Sequence, residues 1–330
     1  MKNNFFYTFL IILLCQSNFA QYTDVINSNR PGESMSAYSV GKKIIQIESG
    51  INYISSKHEL LDYEAKGFNV DLVARYGFFI EELEFIAGLN FQSDRYKNSF
   101  DVTNTIDEQR TGIKSLSIGL KFLVFDPFKN YQEKINLYSW KANHKFKWRQ
   151  FIPAVSVFAG TNLNLRSNKF IDESEKGSII SPKVMLITQN IFSGGYVFVT
   201  NIFYDKIIND HKTLGYVITL TKGFNDKWTG FIENKGVSGD FYTDAIATAG
   251  AAYLINKNIQ VDASISKNFK NTPDIIYGGI GISWRNDKNY REVKIATSKE
   301  GKKRIKDNKK DDKKSNTKKR VDNIDFEKSK

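Results

Sequence analysis

Apolar and polar residues alternate one by one along Ile259–Ser266, which reads Ile-Gln-Val-Asp-Ala-Ser-Ile-Ser, and the same period of two recurs down the chain. A period of two sends successive side chains to opposite faces of an extended strand. The segment Lys43–Ile54 sets Ile45, Ile47, Ile51 and Tyr53 against Gln46, Glu48 and Asn52. Gly67–Phe78, Glu82–Gln92 and Ile113–Phe125 repeat the pattern, the last with Leu116, Ile118, Leu120, Phe122 and Val124 opposite Ser115, Ser117, Gly119 and Lys121. Further strands are expected at Gln150–Leu165, Ile179–Asn190, Gly195–Tyr204, Thr213–Lys222, Lys227–Asn234, Thr243–Leu254, Asn258–Lys267 and Ile275–Arg285. Pro182 lacks a donor for a sheet ladder, so the sixth segment is the weakest strand of the twelve or carries a bulge there.

The connections sort by length. Phe78–Glu81, Ile191–Gly194, Gly223–Asp226 and Ile255–Lys257 are short. Ser55–Lys66, Ser93–Gly112, Arg166–Ser178, Asp205–Lys212, Lys235–Tyr242 and Asn268–Asp274 are longer and polar. Short turns at one end and long loops at the other predict an all-β fold, an antiparallel transmembrane β-barrel of about twelve strands with periplasmic turns and extracellular loops. An even count returns both termini to the periplasm. Asp126–Arg149 breaks the rule as a long, basic excursion at the turn end.

The ends change the picture further. Lys2 followed by the apolar run Phe5–Leu14, with Ala20 before Gln21, reads as a cleaved signal peptide over residues 1–20. Leu13-Leu14 before Cys15 does not match a lipoprotein signal, and cleavage after Ala20 leaves a mature chain without cysteine, which excludes disulfides and thiolate metal sites. Residues 21–42 are expected to form a periplasmic lead-in, with Pro31-Gly32 as a turn before the first strand or a plug at the barrel mouth. Residues 43–285 form the barrel, and 286–330 a disordered Lys-rich tail. That tail carries 17 Lys or Arg against 9 Asp or Glu, a large part of the chain's net charge of +12. It has no aromatic interleaving of the kind that stacks bases, and export takes it away from nucleic acid. The 25 Phe and 16 Tyr, beside a negative mean hydropathy, suit a barrel with aromatics toward lipid and a polar interior.

Several stretches resemble a known family. Asn29-Arg30-Pro31-Gly32-Glu33-Ser34, Gly41-Lys42-Lys43 and Gln46-Ile47-Glu48-Ser49-Gly50 are similar to the N-terminal pattern of the "putative MetA-pathway of phenol degradation" family, which usually has Asp where this chain has Asn29. Gly250-Ala251-Ala252-Tyr253, Ile259–Ser264 and Gly278–Arg285 resemble its closing strands. Trp148–Pro153 and Ser181–Met185 are similar to versions found in the Bacteroidetes. The resemblance covers Asn29 to Arg285 and implies an outer-membrane, transporter-like barrel that passes small solutes, aromatic ones among them. It does not name a solute.

Parity places a set of charges on the polar face: Glu48, Asp71, Arg75, Glu84, Lys121, Glu233, Asp262 and Arg285. Arg or Lys facing lipid at mid-membrane costs about 2–4 kcal/mol, so these should line the lumen. They read either as a selectivity lining or as paired charges that fill the barrel and hold it shut. Asp71 and Arg75 lie four apart on one strand, about 13 Å at 3.3 Å per residue, so each must pair elsewhere. The chain has no Gly-x-Ser-x-Gly turn and no phosphate loop, and His58, His144 and His211 all fall in connections. No enzyme chemistry, metal or cofactor is implied. The expected partners are outer-membrane lipid and a small solute. The alternative is a structural protein whose basic tail tethers it to an anionic periplasmic polymer such as peptidoglycan.

Overall fold

The computed structural model describes residues 25–99, 105–129, 138–139, 148–163, 168–170, 179–208, 212–240, 242–288 and 290. The predicted signal peptide, most of the lysine-rich tail, His144, His211 and most of the Asp126–Arg149 excursion lie outside them. Twelve antiparallel strands close into a barrel, each bonded to its neighbours in sequence. They are β1 Ile45–His58, β2 Tyr63–Gly77, β3 Leu83–Asn98, β4 Ile106–Phe125, β5 Ala154–Leu163 and β6 Ile180–Phe192. There follow β7 Tyr196–Asp205, β8 Thr213–Gly223, β9 Trp228–Gly239, β10 Asp244–Asn256, β11 Ile259–Asn268 and β12 Asp274–Asn286. The β1–β12 seam runs from Ile45 opposite Asn286 to Lys57 opposite Asp274, so no strand edge is left open.

Closure sends one side chain of each alternating pair to the outside. Ile47, Leu72, Leu120, Ile202, Ile232 and Ile282 are exposed there, while Gln46, Glu48, Arg75 and Ser283 are buried inside. Aromatic contacts ring the short-turn end, among them Tyr76–Phe78, Phe151–Phe192 and Trp228–Tyr253. Tyr53 and Phe68 meet at 5.5 Å nearer the long-loop end. Ile45 opposite Tyr76 and Tyr53 opposite Phe68 are eight residues apart on β1, roughly 26 Å along the strand at 3.3 Å per residue. At the usual strand tilt of about 40° that length spans roughly 20 Å along the barrel axis, within the apolar band of about 25 Å that such barrels present to lipid.

Strands β1 to β4 run well past the band, so the connections expected at 55–66 and 93–112 shrink to residues 59–62 and 99–105. Beyond the lipid both faces are wet, and alternation no longer marks a strand. Cross-strand pairs hold the ladder there instead, such as Arg95 with Asp107 at 2.8 Å and Arg110 with Asp94 at 2.9 Å. The expected disturbance at Pro182 is absent. Pro182 sits opposite Thr161 in an unbroken β5–β6 register, beyond the end of the β6–β7 ladder, where no donor is required.

The interior is not uniformly polar. Ile86, Leu123, Phe158, Met185, Ile187, Phe203 and Val217 form an apolar cluster with Ala37 and Tyr38, residues that precede the first strand. The barrel is therefore filled from within by its own N-terminal segment.

Candidate functional site

Residues 25–44 run inside the barrel, where the sequence reading expects a lead-in below it. Ile26 N–H donates to Lys257 O at the β10–β11 turn, and Gly41, at φ 93°, turns the chain back into β1 beside Gly77. A segment with no strand partner leaves its backbone groups to be satisfied by side chains. The wall supplies them. Asn201 accepts from Met35 N–H and donates to Met35 O at 2.9 Å. Gln189 Oε1 accepts from Ser36 Oγ at 2.8 Å and Ala37 N–H at 2.9 Å, and Ser156 Oγ donates to Ala37 O. Glu233 accepts from Glu33 N–H at 2.9 Å, Ser34 N–H at 3.2 Å and Thr219 Oγ1 at 2.7 Å.

Four of the predicted lumen charges form one buried network under the segment. Arg75 makes a forked pair with Glu84, at 2.6 and 3.2 Å, and reaches Glu48 at 3.0 Å and Asn27 O at 2.8 Å. Lys121, opposite Glu84 in register and 3.3 Å from its carboxylate, donates to Ser36 O at 2.9 Å and Tyr38 O at 3.0 Å. Glu84 also accepts from Val40 N–H at 2.9 Å. Inward charge here both pairs across strands and grips a peptide.

Arg30 sits in a cradle built by four adjacent strands. The register aligns Asp71 of β2, Gly50 of β1, Gly281 of β12 and Asp262 of β11 in one row. Arg30 Nη1 pairs with Asp71, and Nη2 lies 3.3 Å from Asp262 Oδ1. The guanidinium lies over the two glycines so closely that a methyl group on either would collide with it. Glycine is required in this row for space, not for turning. Gln260 Nε2 donates to Arg30 O at 3.2 Å, and Asn52 Nδ2 to Asp71 Oδ1 at 2.8 Å.

Seven of the eight predicted residues thus meet the N-terminal segment or its supports: Glu48, Asp71, Arg75, Glu84, Lys121, Glu233 and Asp262. Arg285 stands apart, tying Asn258 Oδ1 at 3.0 Å and the Lys257 carbonyl at the turn between β10 and β11. Sequence reasoning missed Arg30, Glu33, Gln189, Asn201, Lys114, Lys183 and Lys235. Parity puts Gln189, Asn201 and Lys183 inside, but the first two carry no charge and so fall outside a set of charges, while Lys235 belongs to β9 where the sequence reading places a loop.

The segment divides the lumen. A cavity of about 750 Å³ opens on the long-loop side, and one of about 200 Å³ lies toward the short turns. Asn29, Arg30, Pro31 and Gly32 line both, so they are the partition. Glu33 projects into the larger cavity, bonded to Lys235 at 2.6 Å and Tyr277 at 3.0 Å. His58 lies at the β1–β2 turn, where its Nδ1 accepts from Leu61 N–H at 3.1 Å.

Residues 28–286 match the family described as "Putative MetA-pathway of phenol degradation". The chain belongs to this family. Among curated proteins, none matches it in sequence. The fold is that of outer-membrane channels: the COG4313 outer membrane channel from Pseudomonas putida F1 superposes with a TM-score of 0.51 at 8% identity, over 79% of this chain and 100% of that one. More distant barrels include the translocator domain of autotransporter NalP from Neisseria meningitidis, at a TM-score of 0.43 and 11% identity over 74% of this chain and 89% of that one. The CymD monoaromatic hydrocarbon channel follows at 0.36 and 10%, over 74% and 88%. This member of the family has the closed twelve-stranded barrel fold of the COG4313 outer membrane channel.

Proposed function

We propose that the protein is a passive channel for small solutes across the outer membrane, closed at rest by residues 29–32. The observation that carries this reading is the pair of cavities, about 750 and 200 Å³, with residues 29–32 lining both. A barrel kept only as a membrane anchor has no use for such spaces. The barrel wall is continuous, so the path from one end to the other passes the partition. A barrel of twelve strands lies between those filled by side chains and the wide porins, which suits solutes of modest size. The apolar cluster of Ile86, Phe158 and Met185 beside asparagines 52, 69 and 90 favours molecules with an apolar body and a polar edge.

The short turns and both ends of the barrel fold are assigned to the periplasm, following the usual asymmetry of such barrels. The segment would then enter from below and release downward. Single-channel recording in planar bilayers tests the reading. The wild-type protein is expected to show mostly closed traces with brief openings, and a variant lacking residues 25–40 to show steady conductance. Equal and negligible conductance in both, from correctly folded protein, would refute it.

A further inference from the structure

The larger cavity is lined by two lysines, Lys114 and Lys183, that make no ion pair with any described residue. Lys114 reaches it by an irregularity in the sheet. Asn90 faces Ser115 and Phe91 faces Ile113 across the β3–β4 ladder, so Lys114 is an extra residue in a bulge. In regular pleat it would share the lipid-facing parity of Leu116 and Ile118. The bulge turns it inward, as bulges do where a side chain must be re-aimed. Its displaced carbonyl accepts from Asn168 Nδ2 at 2.7 Å, and Asn168 is itself buried, so the bulge is secured. Lys183 enters from β6 at a regular inward position, opposite Gly160, with its ammonium 4.7 Å from the Phe203 ring centre. Both lie within electrostatic reach of the same Glu33–Lys235 pair.

The carboxylates around these lysines lie beyond ion-pair distance of them, the foremost being Asp94 for Lys114 and Asp205 for Lys183. Glu33 is bonded to Lys235 and Tyr277, Asp71 to Arg30, and Glu48 to Arg75, while Glu233 accepts from the backbone of the partition. Asp94 is paired with Arg110, and Asp205 accepts from Asn162 Nδ2 at 2.9 Å. Among the described residues Lys114 and Lys183 have no ion-pair partner. Two ammonium groups facing an enclosed space of about 750 Å³, partly walled by Phe158, Phe170 and Met185, are complementary to an anion with an apolar body.

We propose that the larger cavity binds a small monocarboxylate with an apolar ring or chain, its carboxylate between Lys114 and Lys183 and its body toward Phe158 and Met185. This rests on the channel reading, since the ligand would be a solute waiting at the partition. The carboxylate gains two charge-assisted hydrogen bonds that an uncharged isostere cannot.

Isothermal titration of the purified full-length barrel, at a fixed ionic strength of about 0.15 M so that screening is constant, compares benzoate, benzamide and acetate. Benzoate is expected to bind at least about tenfold more tightly than either, the scale of one charge-assisted hydrogen bond. Lys114→Gln/Lys183→Gln should bring benzoate to parity with benzamide. Lys183→Gln alone, which leaves the bulge intact, should reduce the preference in the same direction. Parity in the wild-type protein, or a preference unchanged in Lys183→Gln, overturns the site. Acetate binding as tightly as benzoate overturns the apolar part of the ligand class. Conductance measured on the same preparation separates the two readings: a conducting protein indifferent to benzoate loses this site and keeps the channel, and a benzoate-binding protein that never conducts loses the channel.

Discussion

Arg30→Ala is the most direct test of what holds the lumen closed. Its side chain is 11% exposed, between Asp262 at 0% and Asp71 at 23%. Removing one partner of a fully buried pair costs about 3–5 kcal/mol, because the remaining charge is stranded. Here the cost falls at or below the bottom of that range, since cavities border the cradle and Asp71 keeps the Asn52 hydrogen bond. A loss of about 2–3 kcal/mol lowers the ratio of seated to released segment by about 30- to 150-fold. The barrel ladder is untouched, so the variant should still insert. Single-channel recording should then show an open fraction raised by up to that factor. Gly281→Ala keeps every charge yet places a methyl group against the guanidinium, so it should act in the same direction. Adding Asp262→Asn to Arg30→Ala removes the stranded carboxylate and should restore part of the closed state. If Arg30→Ala and Gly281→Ala both match the wild type in open fraction and conductance, the cradle does not hold the partition and the reasoning fails.

Arg at Leu120 or Ile282, both outward and about half exposed, should cost about 2–4 kcal/mol of folding free energy in a bilayer, while Arg at Ser117, which borders the larger cavity, should cost little; equal losses in denaturant titrations would contradict the assigned faces. Glu84→Gln leaves Lys121 without a carboxylate and Arg75 with Glu48 alone in a buried network, and should destabilise the folded barrel by about 3 kcal/mol, measured as a lower temperature for loss of the compact band on gels. Asn201→Ala leaves the Met35 N–H and C=O unpaired, at about 1–3 kcal/mol, and amide exchange at residues 33–37 should speed up while exchange in the strands stays as before.

The barrel was legible because lipid enforces parity. Wherever one face must be apolar, as at Ile45, Ile47 and Ile51 of β1, the alternation is written into the chain. Outside the lipid that constraint vanishes, so the extensions of β3 through Ser93–Asn98 and of β4 through Ile106–Gly112 read as loops. The inward charges were legible by the same parity, but their purpose was not. Glu84 facing Lys121 looks like a cross-strand pair whether or not a peptide lies on top of it. The segment 25–44 carries no period of two or of 3.6, because each residue meets a different wall. Its Arg30, Pro31 and Gly32 match common turn chemistry, and a turn outside the barrel is the simplest use of them. One signal was available. Gly50 and Gly281 fall on the lumen parity of strands whose neighbours carry Asp71 and Asp262, and two inward glycines flanked by two carboxylates leave a space shaped for a cation. Lys114 could not have been placed by parity at all, since a bulge that shifts the register leaves no mark in the hydrophobic pattern.

The way the partition is held bears on whether it can move. An apolar plug in an apolar bore would lose about 25 cal/mol for each Å² it exposed to water on release, with nothing to offset it. This segment is held mainly by hydrogen bonds and ion pairs: Asn201, Gln189 and Glu233 on its backbone, and Asp71 and Asp262 on Arg30. In a lumen with water-sized spaces on both sides, each of those groups can exchange its partner for water, so the net stabilisation per bond is only about 0.5–1.5 kcal/mol. The apolar contacts lie at one end, where Met35, Ala37 and Tyr38 pack on Ile86, Phe158 and Met185. Residues 35–38 are therefore the anchor and residues 29–32 the part free to yield. Release of the partition needs the Arg30 cradle, the Glu233 contacts and the Asn29 bonds to Glu48 and Ser36 to be exchanged for water, with the apolar anchor and the whole barrel ladder intact. Motion confined to so short a piece is consistent with a channel that opens without unfolding.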